Sequence, residues 1–257
     1  MRCCFILLGM LPAMMLQFLL ASGSCDAYAQ SVQGINQKDA RGRKQGFWKK
    51  IEQGSVKYEG NFVDDKPVGE FKYYYPGGVL KAKTYFTGTN DLSRTVTFHR
   101  NGKMMARGNY RGNLKDSVWV YFNEEEQMVS AIAMKEGKRH GLSRTYYPGG
   151  QTDEDLYFAS DVKHGEWQQY FPDGTLKLKA RYVEGKLQGL MQTFHANGKV
   201  MISGTYKDSL KDGIWMYFDE NGFAQKKETW AKGFRINEVY LDKKLLEEVR
   251  RLDSIKQ

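Results

Sequence analysis

Residues 165–188 read GEWQQYFPDGTLKLKARYVEGKLQ, and residues 189–212 read GLMQTFHANGKVMISGTYKDSLKD. A glycine opens each stretch. An aromatic residue stands sixth (Tyr170, Phe194), a glycine tenth (Gly174, Gly198) and a tyrosine eighteenth (Tyr182, Tyr206). The same frame runs outward in both directions at a spacing of 24, with units opening at Gly69, Ser93, Ser117, Gly141 and Gly213. A further unit, one residue shorter, opens at Gly46 and places Trp48, Gly54 and Phe62 to match. The unit at Ser117 departs from the frame, because Glu124-Glu125-Glu126 takes the turn and Met134 the aromatic position. Self-similarity at a fixed period is the mark of a repeat architecture in which stacked units share one core.

Inside a unit, stretches such as Pro76-Gly77-Gly78, Pro172-Asp173-Gly174 and Ala196-Asn197-Gly198 are three-residue hairpin loops ending in a glycine, as a type I turn with a bulge requires. Each unit is thus a β-hairpin. With the loop at positions 8 to 10, pairing of position 6 with 12 and 4 with 14 puts 2, 4, 6, 12, 14, 16 and 18 on one apolar face. In the unit at Gly189 that face reads Leu190, Gln192, Phe194, Val200, Ile202, Gly204 and Tyr206. A lone hairpin cannot bury such a face, so the hairpins must add edge to edge. The expected fold is all-β: one elongated antiparallel sheet of about eight 24-residue hairpins, sixteen strands, with a C-terminal capping helix. The helix is read from Leu241, Leu245, Val249 and Leu252, which recur at helical spacing. It would cover the last strand edge or dock a partner.

Of 257 residues, 39 are Lys or Arg and 30 Asp or Glu, for a charge of +9; 14% are aromatic, with 27 Gly against 5 Pro. That aromatic content excludes a disordered chain, and the glycine-rich, proline-poor mix suits strands joined by tight turns. The one long apolar run, Phe5 to Leu20, excludes a polytopic membrane protein. Arg2 precedes the run and small residues ending in Ala27-Tyr28-Ala29 follow it, the order of a secretory signal peptide cleaved after Ala29. A permanent anchor is the lesser reading, since the run is short and Pro12 interrupts it. An alternative is lipidation at Cys25, because Ser22-Gly23-Ser24 before it resembles a bacterial lipoprotein processing site, with Ser22 where a Leu-like residue is usual. All three cysteines precede Ala29, so the mature chain would hold no thiol. The expected organisation is a signal peptide over 1–29, a linker over 30–45, the repeat domain over 46–236 and the helix over 237–257.

Enzyme signatures do not occur: no Walker loop, dinucleotide fingerprint, Gly-x-Ser-x-Gly elbow or His-Glu-x-x-His. His99 and His195 sit four units apart at one repeat position; His140 and His164 are equivalent in adjacent units, a pair short of the further ligands a metal needs. No catalytic, metal or cofactor site is expected. One pattern exceeds the 24-residue frame: position 3 carries Phe71, Trp119, Trp167 and Trp215 at intervals of 48, with Thr95, Ser143 and Met191 between them. By the pairing above these rings lie opposite the apolar side, beside Lys81, Lys83, Lys177 and Lys179. Two readings follow. The rings pack over small residues of neighbouring strands and stiffen the sheet, or rings and lysines form a contact ladder for a protein, a glycan or an anionic polymer.

The frame of Gly165, Trp167, Tyr170, Gly174, Tyr182 and Gly185 resembles the MORN repeat, in the variant form common in bacteria, from Gly46 to about Gly233. Proteins of this build are often labelled YwqK-type antitoxins. The resemblance implies scaffolding, membrane-proximal localisation and protein or lipid contacts, with no catalytic residues. A cytosolic toxin's partner has no reason to carry an export signal, so the antitoxin role is not carried over. The expectation is an exported, non-catalytic interaction scaffold of the bacterial cell envelope, in the periplasm, at the outer membrane or secreted, with an envelope protein as partner. Membrane-surface association accompanies it, and the alternative is a carbohydrate or envelope-polymer binding module using the Trp/Lys face. Nucleic acid is discounted, because export removes it from reach.

Overall fold

The computed structural model describes residues 34–88, 91–242 and 244. The leader with Cys25, and the C-terminal residues on which the helix was expected from Leu245 onward, lie outside the described residues. What is described is one open antiparallel sheet of 19 strands laid down in sequence order, with Lys186–Leu187 and Gly189–Phe194 both pairing with Leu176–Val183. Three strands exceed the expected sixteen. Gln37–Lys38 pairs with the strand Lys44–Glu52 ahead of the first unit. Gln188 divides Lys186–Leu187 from Gly189–Phe194, and Phe234–Tyr240 adds a last strand. Two boundaries read from sequence therefore move. Residues 34–45 are not a free linker but part of the sheet, held by a turn in which Asp39 Oδ1 accepts the Arg41 and Arg43 amides at 2.9 Å. Residues 237–240 are strand, not helix, paired with Lys226–Thr229.

The loops are those the glycines imply. The Tyr75 amide donates to the Val79 carbonyl at 2.8 Å and the Gly78 amide to Tyr75 at 3.0 Å, with Gly78 at φ 84°. Glu126 takes that glycine's place at φ 66°, a left-handed conformation that disfavours a side chain. Units are joined by two-residue turns with both central residues at positive φ, such as Asp64-Asp65, Ser160-Asp161 and Asp208-Ser209. Their twist matches that of the flanking strands.

One feature of the hairpin overturns the face assignment. Tyr74 faces Leu80 as position 6 should face 12, but Tyr73 faces Ala82 and Phe71 faces Thr84, leaving Lys81 as an extra residue. The same shift recurs at Gln169/Tyr170, Thr193/Phe194 and Tyr217/Phe218. A bulge of one residue inverts every side chain beyond it. Positions 1, 3 and 5 therefore share a face with 14, 16 and 18, and that face is the core. Leu190, assigned inward from sequence, is 58% exposed.

The rings of position 3 are the centre of this core. Phe71, Trp119 and Trp215 are 2%, 1% and 2% exposed. Each lies on a glycine of the preceding strand, Gly60, Gly108 and Gly204 respectively, where an added Cβ would sit inside the ring's van der Waals surface. Neighbouring rings close the sides edge-on: Tyr110 against Trp119 at 4.9 Å, Tyr206 against Trp215 at 5.1 Å, Phe62 and Phe86 against Phe71 at 5.1 and 5.2 Å. The buried indole N–H groups are satisfied, Trp119 by the Asn109 carbonyl at 2.9 Å and Trp215 by that of Thr205 at 3.2 Å.

Candidate interaction surface

The proposed ladder of rings and lysines is split by the bulge. Phe71, Trp119 and Trp215 are buried on the core face, while Lys81 and Lys83 alternate with buried Ala82 and Thr84 and so project from the other face. Lys177 and Lys179 likewise alternate with buried Leu178 and Ala180. The shared binding face is thus corrected: the rings pack over glycines, and the four lysines stand on the outer face without them. Trp167 differs from its equivalents. Its neighbour across the preceding strand is Leu156 in place of a glycine, so the ring is only partly buried, and its Nε1 donates to Glu154 Oε1 at 2.7 Å.

Cations do meet the rings, but from another position. Two residues before the unit start, Lys44, Lys115, Lys163 and Lys211 set their ammonium groups 4.9, 4.4, 4.9 and 4.2 Å from the ring centres of Trp48, Trp119, Tyr182 and Trp215. Arg139 lies 4.1 Å from Phe158. Each such contact is worth ~0.5–1 kcal/mol when exposed, and together they occupy the ring faces with the chain's own charge. The signal was present in the sequence as a basic residue recurring at the twenty-third position; the inverted face assignment hid its meaning.

Among the described residues, charge is buried at two places. Near the end of the sheet Glu228, 3% exposed, receives Tyr217 Oη at 2.6 Å, Lys226 Nζ at 2.8 Å and Trp230 Nε1 at 2.9 Å, with Lys211 and Arg235 within 3.8 Å. Burial would push its carboxyl up, but the hydrogen bonds from Lys226, Tyr217 and Trp230 prevail and hold it at about 2. On the outer face Arg144 grips Asp155 with two bonds of 2.6 and 2.7 Å, and that bond pushes the guanidinium further up. Both clusters are internally satisfied ion pairs, a structural use of charge.

The outer face carries the exposed apolar groups. At position 2 these are Phe47, Val118, Leu190 and Ile214, and at position 17 Tyr85 and Tyr157, all exposed. The pairing brings Leu142 against Tyr157 and Val118 against Ala133. In the unit at Ser117 all five outward positions are apolar: Val118, Val120, Val129, Ala131 and Ala133. Among the described residues no group of three or more His, Cys, Asp or Glu side chains is placed to hold a metal ion. His99 and His195 instead bond the carbonyls of Phe122 and Phe218 through Nε2 at 3.0 and 2.9 Å.

Stacked hairpins of one length, sharing a core of ring-on-glycine contacts and leaving one long face to solvent, define a β-hairpin repeat protein. Residues 67–87, 163–184 and 187–208 match the MORN repeat variant, so the chain carries MORN repeats. No curated protein matches the chain.

Proposed function

We propose that this protein is an exported, non-catalytic scaffold of the bacterial cell envelope, holding an envelope protein on the outer face of its sheet. MORN repeats support a repeat-based binding scaffold in general. The observation that carries the particular reading is the exposure of Phe47, Val118, Leu190 and Ile214 at one repeat position of the outer face, from which Lys81, Lys83, Lys177 and Lys179 also project. Apolar patches rimmed by polar residues mark contact sites on soluble proteins. The Arg2-to-Ala29 leader supports export.

Two measurements test it. Cross-linked co-purification from envelope fractions should recover one partner with the wild type and lose it with Val118→Glu and Ile214→Glu combined, while circular dichroism stays unchanged. Retention of the partner by the double variant refutes the outer-face assignment. The intact mass of the mature chain should correspond to a start at Gln30; a lipid-modified start at Cys25 would place the scaffold on a membrane, and an unprocessed chain would refute export.

A further inference from the structure

The loop edge of the sheet is stitched by a bond that recurs with the repeat. The position-7 side chain of one unit bonds the position-6 carbonyl of the next: Tyr75 Oη to Phe98 at 3.0 Å, His99 to Phe122, Tyr147 Oη to Tyr170 at 2.8 Å and His195 to Phe218. Asn123 turns back into its own loop, donating to Gln127 Oε1 at 2.9 Å. At Phe171 the stitch cannot form, since a phenyl ring has nothing to donate. Among the described residues no side chain bonds the Phe194 carbonyl that it would have reached.

A cleft of ≈ 370 Å³ opens at this missed stitch, within the ~300–1,000 Å³ of small-molecule sites. Phe171, Leu178, Phe194 and Met201 form apolar walls, and Lys177 and Thr193 contribute polar groups. Lys177 lies over the Phe171 ring at 5.8 Å and makes no ion pair among the described residues. Thr193 Oγ1 is buried and has no hydrogen-bond partner among the described residues, whereas the equivalent Thr97 and Thr145 hydroxyls bond the Ala106 carbonyl and Asp153. A buried hydroxyl without a partner is uncommon in a native structure and sets this unit apart from its equivalents.

We infer that this cleft binds a small amphipathic carboxylate, its apolar body between Phe171 and Phe194 and its anionic group on Lys177. The argument is one of complementarity: an apolar slot, opened where the stitch is missing, and a cation at its wall with no acidic partner among the described residues. It shares Lys177 with the outer-face scaffold and none of the exposed apolar residues, Phe47, Val118, Leu190 and Ile214, on which that reading rests.

The test uses the full chain, with methyl-labelled methionine reporting at Met201, titrated with 3-phenylpropionate. Saturable shifts with a Kd of roughly 0.1–1 mM are expected for a ligand of this size. Lys177→Gln should weaken binding about tenfold, the order of one lost charge-assisted bond, and 3-phenylpropanol should bind correspondingly less well than the acid. Phe171→Tyr should abolish it, because its phenol can restore the stitch to Phe194 as Tyr147 makes it to Tyr170; this variant keeps the fold by the repeat's own pattern. No saturable shift at about 10 mM ligand, an unchanged Kd in Phe171→Tyr, or equal binding of acid and alcohol would overturn the proposal.

Discussion

Gly108→Ala adds one methyl group, and the structure gives it nowhere to go. The new Cβ would overlap the Cδ2, Cε2 and Cγ atoms of Trp119, an indole that is 1% exposed and tied by its N–H to Asn109. The ring must tilt off the strand. Overpacking of this kind costs ~1–3 kcal/mol; loss of the indole hydrogen bond adds ~1 kcal/mol, and loss of the edge-on Tyr110 contact ~0.5–1.5 kcal/mol. A destabilisation of about 3 kcal/mol follows, which for a domain of this size lowers Tm by roughly 6–12 °C. Urea unfolding followed by near-ultraviolet circular dichroism reads both the stability and the tryptophan environment. The decisive control is the same substitution in a Trp119→Ala background, where Gly108→Ala should be neutral or mildly stabilising, because alanine suits a strand better than glycine. An equal cost in both backgrounds, or a cost below ~1 kcal/mol in the wild type, refutes the ring-on-glycine account of the core.

Glu126→Gly should raise stability by ~0.5–1 kcal/mol, since it relieves a left-handed backbone at φ 66°, and denaturant midpoints will register the gain. For Glu228, whose folded carboxyl is lowered from an ordinary 4.5 to about 2, the contribution is complete above pH 4.5 and disappears as pH falls towards 2. Glu228→Gln should flatten acid unfolding across that window and lower stability at neutral pH, leaving Lys226, Lys211 and Arg235 without their shared anion; an unchanged acid limb in the variant counts against the cluster. Ser117→Gly should mirror Glu126→Gly, because Ser117 holds φ 61° where every other unit except that at Ser93 places glycine, and hydrogen exchange of the flanking strands should slow accordingly.

The architecture was legible because it is written in residues whose backbone demands are unusual. The loop glycines and the constant interval fixed hairpins, loop length and sheet order. The faces were not legible, since the bulge residue, Lys81 or Lys177, carries an ordinary strand side chain and nothing in its chemistry marks it as extra. That single missed residue sent Leu190 inward and Trp119 outward. The alternation of large and small at intervals of 48 was visible, and its packing meaning was among the readings it allowed. The glycine partner could not be chosen by counting, because Trp119 packs on Gly108 of the preceding strand rather than on Ile132, its own hairpin partner. The Phe171 cleft was likewise hidden: its position matters only once the stitching bonds of the other units are seen.

The ring-on-glycine contact also limits how a gene of this kind can lengthen. Copying one 24-residue unit would set a tryptophan against the wrong neighbour, as where Glu228 occupies the place that Gly204 fills one unit earlier. Copying two units together, as from Gly60 and Phe71 to Gly108 and Trp119, keeps each ring with the neighbour it already has and leaves both junctions unaltered. Tandem duplication in this lineage should therefore proceed in steps of 48 codons, and descendants that gained an odd number of units should carry compensating substitutions at the seam.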